Sequence, residues 1–280
     1  MNGIICINKP QDWTSFDVVN ALSKKYRIKV GHTGTLDPKA TGVLVCLVGA
    51  TKVLPYLDMS TKRYTATCKL GIKTDTGDVW GNIIESSDSV HQIDNNQLKI
   101  ILEGFIGKSV QQVPMTSAKK VKGKKLYEYQ RENIKIEPIY QEIEIIEIEL
   151  LSISDTEFTF SALVSSGTYM RTLCEDIASK LGTIGTMSQL VRTHCGQFNL
   201  DDCVSIDDAL GRLTLIPIEE GLTHYPQIEI DDPLIVYSGK RIKEQFVGDQ
   251  VLVTHKGKAL AIYRYDKDLK EYKSQRGLWT

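Results

Sequence analysis

Between Gly31 and Gly42 the chain carries three glycines, three threonines, a histidine and a proline around a single carboxylate, Asp37. It then runs directly into six apolar residues, Val43 to Val48. An unbroken apolar run of that length fits a short strand buried on both faces. The glycines ahead of it permit tight turning and close approach by a ligand. Pro38 biases Asp37 away from the helical region toward extended backbone. A lone acid is therefore expected on a stiffened loop at the entrance to a core strand. Asp-Pro also initiates ordinary turns, so these residues alone also fit a plain surface loop. The segment matches neither Gly-x-x-x-x-Gly-Lys-Ser/Thr nor Gly-x-Gly-x-x-Gly, which argues against a phosphate or dinucleotide loop. An enzyme that phosphorylates its own aspartate would want further acids nearby for magnesium, and none follows before Asp58.

Elsewhere, strand and helix patterns follow one another without regular alternation. Gly3 to Asn8 reads as a strand. Ser15 to Tyr26 has apolar positions at helical spacing, with Thr14 or Ser15 as N-cap. Lys62 to Ile72 reads as a strand, Asn95 to Phe105 as a helix and Phe158 to Val164 as another strand. From Glu142 to Leu150 the apolar alternation changes phase between Ile145 and Ile146, which predicts a bulge or bend there. The adjacency of 142–150 and 158–164 predicts an antiparallel pair. Tyr169 to Leu181 and Ser205 to Leu215 read as helices. Pro226 through Pro233 marks the start of a basic, β-rich tail, with Val251–Val253 and Ala259–Tyr263 forming a hairpin around Gly257. Strands outnumber helices, so the expected fold is α+β with a largely antiparallel sheet.

The net charge of −1 conceals strong local asymmetry. Residues 1–73 hold eleven Lys and Arg against four Asp and Glu, 108–135 eight against two, and 236–280 ten against five. Residues 136–162 hold seven acids and no Lys or Arg, and 199–235 hold nine acids against one base. Basic blocks that shared a face would make a phosphate-binding surface despite the neutral sum; otherwise they are solvated charge. The six cysteines form no Cys-x-x-Cys pair and read as reduced core residues of a cytoplasmic protein, with no zinc site. No run approaches the ~18 apolar residues of a spanning helix, and the N-terminus lacks an export pattern.

Seven stretches resemble, in order, the bacterial tRNA pseudouridine-55 synthases, the TruB family. They are the Asp37 segment, Ile7-Asn8-Lys9-Pro10, Lys62-Arg63-Tyr64, and Leu70-Gly71 with Thr74-Asp75-Thr76. Gly123 to Tyr129, Ser166 to Thr172 and Leu190-Val191-Arg192-Thr193 complete the set, which spans about residues 3–215. The resemblance implies a pseudouridine-synthase-like α+β catalytic domain over 1–230, with a mixed, largely antiparallel sheet flanked by helices. It also implies a basic RNA-clamping insertion near 109–135 and a small β-rich domain of the PUA type over 231–280. The family resemblance makes Asp37 the catalytic carboxylate, Arg171 the guanidinium that keeps it ionised, and Tyr64 the aromatic against the target base. His32 would fill the space of a flipped base, Tyr169 and Leu190 would line the pocket, and Lys9 would contact phosphate or support the loop. Lys119 and Lys120 would belong to the clamp, whose loop is expected to order on RNA.

The activity so implied turns uridine into pseudouridine in the T-loop of tRNA. The base is detached, turned and rejoined through carbon, so no redox cofactor, nucleotide or metal is called for. The expected partner is the tRNA T-arm, with no membrane and no obligate protein partner, the chain acting as a monomer. Two alternatives remain at this level: a non-catalytic tRNA-binding or folding protein on the same scaffold, and an aspartyl-phosphate hydrolase.

Overall fold

The computed structural model describes residues 2–87, 94–132 and 134–278, so residue 133 of the expected insertion lies outside the described residues. In chain order the elements begin β1 (Gly3–Lys9), α1 (Ser15–Tyr26), β2 (Val30–His32), β3 (Thr41–Val48), β4 (Thr61–Leu70), β5 (Ile72–Thr74) and β6 (Ile83–Ser86). There follow α2 (Asn95–Glu103), β7 (Gly107–Gln112), β8 (Lys120–Val121), β9 (Lys124–Lys125), α3 (Leu126–Arg131), β10 (Tyr140–Ile153) and β11 (Glu157–Ser165). Then come α4 (Met170–Lys180), β12 (Gly185–Cys195), β13 (Phe198–Asn199), β14 (Cys203–Val204) and α5 (Ile206–Gly211). The chain closes with β15 (Gln227–Glu229), α6 (Leu234–Tyr237), β16 (Gln250–His255), β17 (Lys258–Asp266) and β18 (Glu271–Gly277). None of the described helices is long and apolar enough to cross a membrane.

Two compact units form, one from residues 1–38, 42–59 and 196–280, the other from 39–41 and 60–195. In the first, β1 pairs antiparallel with β3 and parallel with β14, and β2 adds to β3. β3 is buried along almost its whole length, as its continuous apolar run requires. Helix α1 starts at Thr14, whose hydroxyl accepts from the Asp17 amide while the Asp17 carboxylate accepts from the Thr14 amide at 2.8 Å. This reciprocal capping box satisfies two otherwise orphaned donors. The same unit carries a four-stranded sheet, β15 to β18 in order, around a core that includes Ile228, Val236, Val251, Tyr263 and Tyr272.

In the second unit β12, β4, β11, β10 and β7 form a fully antiparallel run. The β10–β11 ladder shifts register between Ile145 and Glu147, where the apolar phase changes. Helix α4 packs on β12 and β4, and α2 on β10. Two sequence expectations need correction. The strand from Lys62 ends at Leu70, because Gly71 turns at φ +83°. The helix from Ser205 stops at Gly211 rather than Leu215, because Ile216 exchanges two 2.8 Å backbone hydrogen bonds with Ile4 instead. Residues 119–131 form a hairpin and a helical turn and a half.

Candidate active site

In the first unit the segment bearing Asp37 is pinned on both sides of the acid. The buried Ser15 hydroxyl accepts from the Leu36 amide at 2.8 Å and donates to the Leu36 carbonyl at 3.2 Å. The Pro38 carbonyl accepts from the Asp12 amide at 2.9 Å and from the Lys9 ammonium at 3.0 Å. Lys9 is completely buried and donates also to the carbonyls of Pro10, at 2.9 Å, and Trp13, at 2.6 Å. Leu36 is buried and Asp37 half-buried, so backbone anchoring and side-chain exposure are separated within two residues. Lys9 thus supports the loop from beneath, one of the two roles the sequence left open for it. His32, half-buried, ends β2 opposite Cys46 of β3.

In the second unit the ladder registers set a row of side chains on one sheet face. Tyr64 of β4 lies opposite Ala162 of β11 and Arg192 of β12, and Leu190 lies opposite Ala66. Opposed residues in an antiparallel ladder project to the same face, so Tyr64, Leu190 and Arg192 share it. Tyr64 is buried, Leu190 half-buried, and Arg192 is only 1% exposed. Lys62 lies two residues from Tyr64 on that face, and its ammonium donates to Ser166 Oγ at 2.8 Å. Burial pushes the Lys62 ammonium below the ordinary lysine range. The Cys195 thiol opposes that shift and the Arg192 guanidinium adds to it. Arg192 sits in a stretch singled out in the sequence, but its burial had no signature there.

Tyr169 and Arg171 enter at the start of α4. Arg171 is buried. Its Nη1 donates to the Thr76 carbonyl at 2.8 Å and to the Thr116 hydroxyl, and lies 3.8 Å from an Asp78 carboxylate oxygen. Thr76 and Asp78 belong to the turn that closes β5 onto Met187 of β12 through two backbone hydrogen bonds. Gly77, at φ +76°, permits this turn. An added Cβ there would meet the Arg171 Cβ at 3.3 Å and Glu175 Oε1 at 3.1 Å. Burial raises the Glu175 carboxyl above its usual range against the pull of Lys73. The turn also presents Trp80, 42% exposed, with the Lys39 ammonium 5.7 Å from its ring centroid. Asp78, Thr116 and Trp80 carry no signature in the sequence, although the adjoining Thr74-Asp75-Thr76 belongs to the family resemblance.

The basic insertion interleaves cations with aromatics. Tyr127 has the Lys125 ammonium and the Arg131 guanidinium each 5.3 Å from its centroid, and Lys124 lies 5.1 Å from that of Tyr129. Lys120 and Lys122 are exposed, whereas the Lys119 ammonium turns inward to Gln141 Oε1 at 2.6 Å. Among the described residues no group of three or more His, Cys, Asp or Glu is arranged to hold a metal.

The N-terminal domain model of the TruB family pseudouridylate synthases matches residues 20–170, and the tRNA pseudouridylate synthase B C-terminal domain model matches 171–220. The tRNA pseudouridine synthase B of Clostridium tetani is 39% identical over 95% of this chain and 93% of its own length. That of Bacillus subtilis is 38% identical over 94% of this chain and 93% of its own. In fold the chain is similar to one in the crystal structure of a Cbf5-Nop10-Gar1 complex. That match has a TM-score of 0.75 and 22% identity, over 99% of this chain and 85% of the other. The chain belongs to the TruB family of pseudouridylate synthases.

Proposed function

We propose that the target is uridine 55 in the T-loop of tRNA and that Asp37 is the nucleophile. The reaction itself, uridine to pseudouridine in tRNA, is the activity of this chain as of its relatives. The bond between uracil N1 and ribose C1′ breaks, the base turns, C5 bonds to C1′, and the C5 proton departs while N1 takes one up, so the composition of the nucleotide is unchanged. Nothing is lost from the nucleotide, so the protein must supply a carboxylate, a site that retains free uracil, and groups that hold the nucleotide out of its stack. The observation that carries the assignment is the double anchoring around Asp37. Ser15 fixes Leu36, and Lys9 with Asp12 fixes Pro38, while the acid stays half-exposed. A carboxylate carried on backbone fixed on both sides suits attack better than mere binding.

On this reading Tyr64 packs against the target base and Arg171 sustains the ionised carboxylate, as an opposite charge does. His32 occupies the vacated stack, and Tyr169 and Leu190 line the pocket. The insertion near 109–135 and the PUA-like residues 231–280 contact RNA backbone. The chain works as a monomer in the cytoplasm, with no metal.

Asp37→Asn should lose essentially all pseudouridine formation on unmodified tRNA while its Kd for that tRNA stays close to wild type. Turnover by the variant removes the nucleophile, and wild-type turnover mapped to another uridine removes the T-loop assignment. Full activity in chelator is expected, and its loss would favour an aspartyl-phosphate hydrolase. Binding without turnover in the wild type would favour a tRNA-binding or folding protein.

A further inference from the structure

Three residues at the root of the basic insertion reach the segment that opens α4, and one of them is a buried glutamine with no part in the family resemblance. Gln111, at the end of β7, is 3% exposed. Its Oε1 accepts from the Tyr169 amide at 2.8 Å, and its Nε2 donates to the Tyr169 carbonyl at 3.0 Å. Tyr169 is the N-cap of α4 and its own side chain makes no capping hydrogen bond. The amide of Gln111 therefore pins the backbone of the N-cap residue from another element, taking up the amide that an N3 side chain takes up in a capping box. An amide side chain offers a donor and an acceptor on two separate atoms without charge at any ordinary pH. Directly opposite in the β7–β10 ladder is Gln141. It donates to the Gly167 carbonyl and accepts from Lys119. Thr116, further along the insertion, accepts from Arg171.

We propose that Gln111 is a positioning residue for the isomerisation. It holds the Tyr169 backbone, and with it the first turn of α4 that aims Arg171, in register with the insertion that grips RNA. This rests on Arg171 serving the reaction as described above. Gln141 and Thr116 carry the same connection at its two flanks, so RNA engagement by the insertion and placement of the guanidinium are one mechanical event.

The decisive variant is Gln111→Glu. As a carboxylate it still accepts from the Tyr169 amide but opposes an oxygen to the Tyr169 carbonyl. As a neutral acid it restores both hydrogen bonds. Burial raises the pKa of such a carboxyl, so the change of state falls where tRNA is intact. We expect kcat to fall about 10- to 100-fold near pH ~8.5 with little change in KM for tRNA, the scale set by misaligned reacting groups. The ratio of variant to wild-type kcat should then climb as pH is lowered. Gln111→Met, which lacks both bonds at every pH, should show a comparable loss with a flat ratio, and it serves if the glutamate variant folds poorly. A flat ratio for Gln111→Glu, or wild-type kcat in either variant, overturns the proposal. Arg171→Lys run alongside separates the two readings. If it keeps wild-type kcat, the site assignment falls. If it is inactive while Gln111→Met turns over normally, only the positioning role falls.

Discussion

Burying an ammonium is unfavourable unless hydrogen bonds replace its water, and Lys9 meets that condition with three carbonyls at 2.6 to 3.0 Å. Lys9→Met keeps the length of the stem and removes the donors. The Pro38 carbonyl retains the Asp12 amide, whereas the acceptances from Lys9 at Pro10 and Trp13 are lost. The urea midpoint should drop by the equivalent of about 1–3 kcal/mol, the cost of leaving buried polar groups unsatisfied. kcat should fall further than affinity for tRNA, since the loop carrying Asp37 loosens while the basic surface is untouched. An unchanged midpoint would mean that these carbonyls find other donors. The sequence exposed Asp37 because its neighbours are conformationally special residues. It left Lys9 divided between phosphate contact and loop support, because the deciding partner, Pro38, lies 29 positions away. Gln111 was invisible for the same reason, since its partner is 58 positions off and no spacing rule joins them.

At the level of elements, two hairpins share one turn chemistry. Lys256-Gly257 joins β16 to β17, and Lys122-Gly123 joins β8 to β9. All four residues have positive φ, between 49° and 85°. Two-residue loops of that kind match the right-handed twist of the strands, and glycine and asparagine tolerate them best. Lysine in the left-handed region costs about 1–2 kcal/mol. Lys256→Asn is therefore expected to raise Tm by a stabilisation of about 0.5–1 kcal/mol. The Lys256 amide would go on donating to the Glu229 carboxylate, which also accepts from Thr254 Oγ1 at 2.5 Å. A lower Tm in differential scanning calorimetry would show that the lysine side chain contributes more than its backbone strain removes. Gly257 and the alternation around it made this hairpin legible in advance, as the phase change did for the bulge at Ile146. The early end of α5 was hidden because Ile216 is drawn off by pairing with a strand more than 200 residues earlier.

Over the whole molecule, a net charge of −1 would predict indifference to polyanions, yet the local blocks predict a salt-sensitive complex. Attraction to RNA is carried by the cations that displace condensed counterions, whatever the distant acids sum to. In the insertion the structure separates such cations from occupied ones. Lys119 serves Gln141 and Lys124 pairs with Glu132, whereas Lys120 and Lys122 are exposed beside the hairpin turn. Replacing Lys120 and Lys122 together by alanine should weaken tRNA binding and reduce the slope of log Kd against log salt by about 2, close to one per phosphate contact. Lys119→Ala should leave that slope nearly unaltered and act instead on kcat, through Gln141 and the Gly167 carbonyl. Filter binding over a salt series with unmodified tRNA measures the first effect, and single-turnover kinetics the second. The reverse pattern, a slope that follows Lys119 and ignores Lys120 and Lys122, would place the RNA backbone on the inner side of the hairpin.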